Sequence, residues 1–180
     1  MLDAALLPLH NDRARIRPLR ADDANAFAEG TQDPAVRQYG HLPEPEYTPE
    51  SVRTMIETDA TPALARGDLA VLAIADTQTD VFAGSLVLFD VQEQRAEVGF
   101  WVHPAHRGSG VTAAALALAG RFARESGLHE LTARTLPENV ASQRALEAAG
   151  FVLRDRRPDT TPSGQRVDLL SYSCPVADGA

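Results

Sequence analysis

The stretch that most constrains this chain is residues 94–126, because the hydrophobic period changes within it. Ala96, Val98, Phe100 and Val102 alternate with Glu97, Gly99 and Trp101, the two-residue period of a strand with two distinct faces. Pro104 ends that strand, since proline has no N–H for a ladder. Gly108 and Gly110 then mark a short turn. From Val111 to about Ser126 an alanine-rich run carries Leu116, Leu118, Ala119 and Phe122, which reads as a long helix, with Gly127 as its C-cap. A strand passing through a glycine turn directly into a helix excludes an all-β or all-α chain.

The flanking sequence extends this pattern. Residues 13–19 alternate Arg13, Arg15 and Arg17 with Ala14, Ile16 and Pro18, which predicts an edge strand. Asp22 caps a helix to about Gly30 with Ala24, Phe27 and Ala28 on its apolar face. Pro34, Pro43, Pro45 and Pro49 punctuate loops and short helical pieces. Thr48 before Pro49 is an N-cap followed by proline at the first helical position, and Gly67 stops that helix after Arg66. Residues 69–75, 81–89 and 94–102 form a three-strand meander. Residues 128–135 are a strand, 139–149 a helix, and 151–156 and 167–174 the last strands around a polar loop, 157–166. Seven strands and several helices predict an α/β chain of mixed character, one mostly antiparallel sheet covered by helices. Residues 1–12 are expected to be a loose leader, 13–175 one domain, and 176–180 a tail.

Composition removes several function classes. The 180 residues suit one domain. The net charge of −8 argues against nucleic acid and favours a cationic partner such as an amine. A single cysteine, Cys174, excludes a disulfide framework, and no apolar run approaches the roughly 20 residues that span a bilayer. The first ten residues lack a basic segment, so no signal peptide is expected, and a cytoplasmic, membrane-free location follows as the expectation. All 17 basic residues are arginines, so any anion site must use Arg or backbone N–H groups.

The turn at 107–112 meets that requirement. Its glycines and the helix start present unpaired N–H groups in one direction, and with the helix dipole they suit a pyrophosphate. Arg107 adds a permanent charge. A βα turn that uses glycine only for geometry remains the alternative on spacing alone. A P-loop is excluded because lysine is absent, and Gly108-x-Gly110 lacks the third glycine of a dinucleotide fingerprint. Downstream, Asn139 opens a helix with Ser142 one turn later, and Gly150-Phe151 closes the segment.

Taken in order, Arg107-x-x-Gly110, Asn139-x-x-Ser142 and Gly150-Phe151 resemble the GNAT superfamily of N-acetyltransferases. Residues 96–102, 139–144 and 150–151, with Arg15-Ile16-Arg17-Pro18-Leu19 and Asp22-Asp23-Ala24, resemble its RimJ/RimL branch, which acetylates N-termini of ribosomal proteins. The likeness covers roughly residues 13–175.

The resemblance implies a sheet splayed between its fourth and fifth strands, with acetyl-CoA as co-substrate in the V. Phe100, Trp101 and Val102 would offer backbone groups to the pantetheine, Arg107, Gly108, Ser109, Gly110, Val111 and Thr112 would cradle the pyrophosphate, Asn139 would bond the pantetheine arm, and Arg144 would reach the CoA phosphates. The tyrosine that many members use as general acid falls on Leu146, and Ser142 matches the serine of the N-terminal acetylating branch. Glu97 is the expected base and Ser142 the support for the leaving thiolate; Tyr39 and His41 are expected in the acceptor pocket. For Glu97 an exposed strand carboxylate or an arginine partner is the alternative. His103 and His106 have no third ligand nearby, so no metal is expected.

The expected activity is transfer of an acetyl group to a primary amine, foremost a peptide N-terminal α-amine. A small amine (amino acid, polyamine or antibiotic) and a non-catalytic acyl-CoA-binding module are the alternatives. The resemblance is compatible with a homodimer.

Overall fold

In a computed structural model, which describes residues 1–161 and 164–176, the chain folds around one eight-stranded sheet. The strands are β1 (Leu9–His10), β2 (Arg15–Pro18), β3 (Ala70–Ala75), β4 (Phe82–Phe89), β5 (Arg95–Val102), β6 (Glu130–Thr135), β7 (Val152–Thr160) and β8 (Arg166–Pro175). Their order is β1-β2-β3-β4-β5-β6-β8-β7, and every neighbouring pair is antiparallel except β5 and β6. The helices are α1 (Ala24–Gly30), α2 (Pro34–Tyr39), α3 (Pro49–Met55), α4 (Thr61–Arg66), α5 (Val111–Glu125) and α6 (Val140–Ala148).

The two faces of the sheet bury different residues. On one, Ile16, Leu72, Ile74, Leu86, Leu88, Ala96 and Val98 meet α5 through Ala115, Leu116, Leu118, Ala119 and Phe122. On the other, Ala73, Phe82 and Trp101 meet α1 and α3 through Phe27 and Val52, joined by Tyr47 and by Ile56 just after α3. Phe27 is the hub there, edge-on to Trp101 at 5.1 Å and to Tyr47 at 5.4 Å between ring centroids. The alternation read in residues 96–102 is therefore a real division between two cores.

The splay has a simple origin. β5 and β6 pair only over Arg95, Ala96 and Glu97 against Glu130, Leu131 and Thr132. Beyond Glu97 and Thr132 no ladder joins them, so the strands diverge toward their carboxyl ends. On its other edge β5 stays paired through to Val102. A Cβ at Gly84 of β4 would lie 2.3 Å from the Trp101 carbonyl oxygen, so only glycine lets β4 hold the end of β5 in register. The free edge of β5 is thus held rigidly open.

Three expectations need correction. Residues 1–12 are not a loose leader: Ala4–Leu6 form a 3-10 turn, Leu2 and Leu9 are buried in the α5-side core, and β1 adds an eighth strand to the seven expected. Two residues are too few to show a period, which hid that strand. The last hairpin is longer than expected, because β7 runs to Thr160 and takes up much of the polar loop. Within that loop Pro162 and Ser163 lie outside the described residues, as do residues 177–180 of the expected tail. The helix expected from Pro49 to Arg66 holds a π-turn at Ile56–Ala60 between α3 and α4. Pro62 lacks the N–H of a regular ladder, which accounts for the wider turn.

One buried ion pair braces β2. Arg17 donates to both carboxylate oxygens of Asp23, at 2.7 and 2.9 Å, and through Nε to Asp80 at 2.9 Å. The alternating arginines of the N-terminal strand thus include one, Arg17, that serves the core.

Candidate active site

The divergence of β5 and β6 opens a cleft of about 440 Å³. Phe100, Trp101 and Val102 of β5 form one wall, Asn139, Ala141, Ser142 and Ala145 of α6 and its cap the other. Arg107, Gly108 and Thr112 form one end, and Ala35, Val36, Tyr39 and Gly40, from α2 and its C-cap, complete the lining. It lies at the carboxyl ends of the parallel pair β5 and β6, where open α/β sheets leave a crevice.

The phosphate-sized end is built from backbone. Gly108 and Gly110 adopt φ of 75° and 77°, which turns the chain from the 3-10 turn Pro104–His106 into α5. Gly110 is the N-cap of α5 and has no side chain to cap it. The first helical bond is the Ala114 N–H to the Gly110 carbonyl, so the N–H groups of Val111, Thr112 and Ala113 precede the ladder. A Cβ at Gly108 would meet nothing within 4 Å, so the turn has open space beside it. Uncapped N–H groups, a helix dipole and open space fit a pyrophosphate.

At this end Arg107 is already engaged. Its guanidinium is clasped by both carboxylate oxygens of Asp33, the N-cap of α2, one of them at 3.3 Å. That bond, more than anything else, holds the Asp33 carboxyl below the usual carboxylate range.

On the opposite wall Asn139 Oδ1 accepts from the Ser142 N–H at 3.2 Å, and its Nδ2 donates to Ser142 Oγ at 2.8 Å. The serine oxygen therefore uses a lone pair on Asn139, and its own O–H is free to donate into the cleft. Leu146 is 1% exposed in the α5-side core, whereas its neighbour Ala145 reaches the cleft wall.

Glu97 sits at the last rung that joins β5 to β6. Its carboxylate receives Arg134 Nε at 2.9 and 3.1 Å, and Arg134 Nη1 continues to Asp159 at 3.2 Å and to the Thr160 carbonyl at 3.0 Å. Burial pushes the Glu97 pKa above its ordinary value, although Arg134 pulls the other way. A second cleft of about 340 Å³ lies beside this network, lined by Arg37, His41, Glu44, Glu46, Tyr47 and Gln165 among others. Burial lowers the His41 pKa, and the Arg134 charge adds to that.

Residues 13–152 match the family model of the acetyltransferase (GNAT) domain. The chain belongs to the GNAT acetyltransferase family. Over 143 residues it is 29% identical to a protein named probable N-acetyltransferase YjcK of Bacillus subtilis (strain 168), covering 76% of this chain and 78% of that one. Among solved structures, RimJ of Mycobacterium smegmatis, in complex with CoA-disulfide, superposes with a TM-score of 0.79 at 21% identity, covering 93% of this chain and 85% of that one. Ribosomal-protein-S5-alanine acetyltransferase from Vibrio fischeri gives a TM-score of 0.79 at 16% identity, over 96% and 98%. These structures share the fold.

This GNAT acetyltransferase brings Phe100, Trp101, Val102, Arg107, Gly108, Thr112, Asn139 and Ser142 to the lining of one cleft. Glu97, Ser109, Gly110, Val111 and Arg144 do not line it; Glu97 lies at the last β5–β6 rung, Ser109 Oγ donates to the His106 carbonyl at 2.7 Å, and Arg144 is exposed on α6. Tyr39 and His41, expected together, are separated: Tyr39 lines the first cleft and His41 the second. The short helix α2 stands between the two clefts. His103 serves its turn, its Nδ1 accepting the Ala105 N–H at 3.2 Å.

Three partners of the candidate site residues escaped sequence reasoning. Asp33 caps α2 before Pro34 and clasps Arg107, and neither role was read from the sequence. Arg134 and Asp159 gave no signal, because their meeting with Glu97 depends on register across three strands.

Proposed function

We propose that the chain transfers an acetyl group from acetyl-CoA to a primary amine by direct attack, with a peptide N-terminal α-amine as the acceptor. The observation that carries the reading is the cleft itself. It opens between strands at their parallel carboxyl ends, with uncapped helix N–H groups at one end and a buried carboxylate at the last paired rung.

The residues divide the work. The N–H groups at the start of α5, with Gly108 and Arg107, hold the pyrophosphate of the co-substrate. The free edge of β5 from Val98 to Val102 offers backbone groups to the pantetheine, and Asn139 faces it from α6. Acetyl-CoA supplies the acetyl group as a thioester, whose carbon–sulfur bond breaks as the amine nitrogen forms an amide. Glu97 takes the proton of the ammonium through a water, so that the nitrogen attacks with a free lone pair. Ser142 donates its O–H toward the leaving thiolate. Holding both substrates in line supplies further acceleration.

The acceptor enters through the second cleft. Glu44 and Glu46 on its rim and the net charge of −8 favour a cation. A fold neighbour named ribosomal-protein-S5-alanine acetyltransferase supports a peptide end, and one named spermidine N-acetyltransferase makes a polyamine the competing acceptor.

Isothermal titration with acetyl-CoA, followed by turnover of peptides bearing N-terminal Ser or Ala, tests this. Micromolar binding that is lost in Gly110→Asp, with peptide turnover, is the expected result. Turnover of spermidine without any peptide turnover would replace the acceptor; absence of acetyl-CoA binding would overturn the whole reading.

A further inference from the structure

Resting on the reading of Glu97 as the base, we infer that Arg134 is a positioning residue for the reaction: it orients and keeps ionised the carboxylate that takes the proton, and ties that carboxylate to the tip of the β7–β8 hairpin beside the acceptor cleft. The geometry is specific. Thr132 and Arg134 share the face of β6 that looks away from α5, while Leu131 and Ala133 enter the α5-side core. Arg134 lies just beyond the last β5–β6 rung, where the strands part. One guanidinium nitrogen, Nε, serves both oxygens of Glu97. Another, Nη1, reaches past β8 to Asp159 and to the Thr160 carbonyl at the end of β7.

A strand staple alone does not need this arrangement. β6 is already joined to β8 from Glu130 to Thr135, and β8 to β7 along its length. The arginine joins a carboxylate at the last β5–β6 rung to a hairpin tip that the ladder does not connect to it. The groups that face Glu97 are Arg134 from β6, Asp90 from the turn after β4 and Asp159 from β7. Arg134 is the only cation among them, set against two carboxylates and the cost of burial. Without it the carboxylate would stay protonated to a higher pH. His41 feels the same guanidinium from the loop after α2. Its ordinary pKa is near about 6.5 and is lowered here, so it adds no second cation at neutral pH.

The test titrates the Glu97 carboxyl directly. Protein carrying 13C-labelled glutamate is followed by NMR across pH in the wild type, Arg134→Lys and Arg134→Gln, with Glu97→Gln assigning the resonance. The Glu97 midpoint should rise by about one pH unit or more in Arg134→Gln, and by less in Arg134→Lys, which keeps the charge but loses the fork. An unchanged midpoint in Arg134→Gln would overturn the proposal. Should Arg134→Gln fail to fold, Arg134→Lys carries the test, with an unchanged midpoint again the overturning result.

The rate profile separates the proposal from the reading beneath it. In peptide acetylation the acidic limb of kcat/KM should move up by the same amount in Arg134→Gln, and the rate should recover at high pH. A merely structural arginine would lower the rate equally at all pH values. If Glu97→Gln retains the wild-type rate and limb, the base reading fails and this proposal falls with it. If Glu97→Gln loses the limb while Arg134→Gln leaves it in place, only the role of Arg134 is overturned.

Discussion

Two ion pairs stand near the divergence of β5 and β6, one at an end of the cleft and one at the last paired rung, and they differ in a way that follows from burial. At the acyl end Glu97 and Arg134 have side chains only 11% and 24% exposed. At the phosphate end Asp33 and Arg107 are 16% and 45% exposed, so the cation is half in water. The carboxylates respond in opposite directions. Burial outweighs the arginine at Glu97 and raises its pKa, whereas the hydrogen bond from Arg107 outweighs burial at Asp33 and lowers its pKa. A raised carboxylate is useful as a proton acceptor near neutral pH; a lowered one is a fixed charge. A carboxylate–arginine pair therefore suits the base proposed at Glu97 when burial dominates, and a tether at Asp33 when the arginine dominates.

The sharpest break in that comparison is Glu97→Gln. Loss of a general base costs about a hundredfold to ten-thousandfold in rate. Peptide turnover should fall by that amount while the affinity for acetyl-CoA, measured by titration, stays within about twofold, because the phosphate end is untouched. Equal losses in turnover and in acetyl-CoA affinity would show that the two ends are not separate.

At the phosphate end the expected changes are smaller and lie in binding. Arg107→Ala should weaken acetyl-CoA binding by about tenfold, the scale of one charge-assisted contact. Asp33→Asn should act the other way. Asparagine still accepts the Ala35 and Val36 N–H groups that Asp33 Oδ1 now caps, but it no longer claims Arg107. Affinity should tighten by about threefold, and the gain should shrink as salt rises. Weaker binding in Asp33→Asn would show that the carboxylate orients Arg107 for the phosphate and does not compete with it.

The contrast also explains what the sequence could disclose. The meander, the strand–turn–helix unit and the Asn139 cap were legible because each is local: a period, a glycine pair or a cap residue is visible within a few positions. The splay was inferred from a resemblance, and the structure supplies its cause in a ladder that stops after Glu97. The partners of the charged residues were not legible. Arg107 meets Asp33 across 74 positions and Glu97 meets Arg134 across 37, and both contacts depend on where short elements dock. Helix α2 was the least visible element that matters. Its six residues carry too little periodicity, and Pro34 read only as punctuation among loops and short helical pieces, yet α2 divides the two clefts and parts Tyr39 from His41.

The smallest expected effect is also the most direct reading of the opposed pKa directions. Asp33 has a folded pKa below its unfolded value of about 3.9, so its stabilisation is present above that pH and is lost as the pH falls through the folded value. Glu97 has a folded pKa above its unfolded value of about 4.3, so its contribution is fully present below that pH and is lost as the pH rises through the folded value. Melting temperatures of the wild type, Asp33→Asn and Glu97→Gln, followed from about pH 3 to about pH 8, should therefore diverge with opposite slopes. The advantage of the wild type over Asp33→Asn should grow with pH, and its advantage over Glu97→Gln should shrink with pH. The Asp33 slope should be the shallower, because solvent reaches Arg107 and screens the pair. Slopes of the same sign would mean that Arg134 dominates burial at Glu97. The Glu97 carboxylate would then be a tether like Asp33, and the base would have to be sought elsewhere.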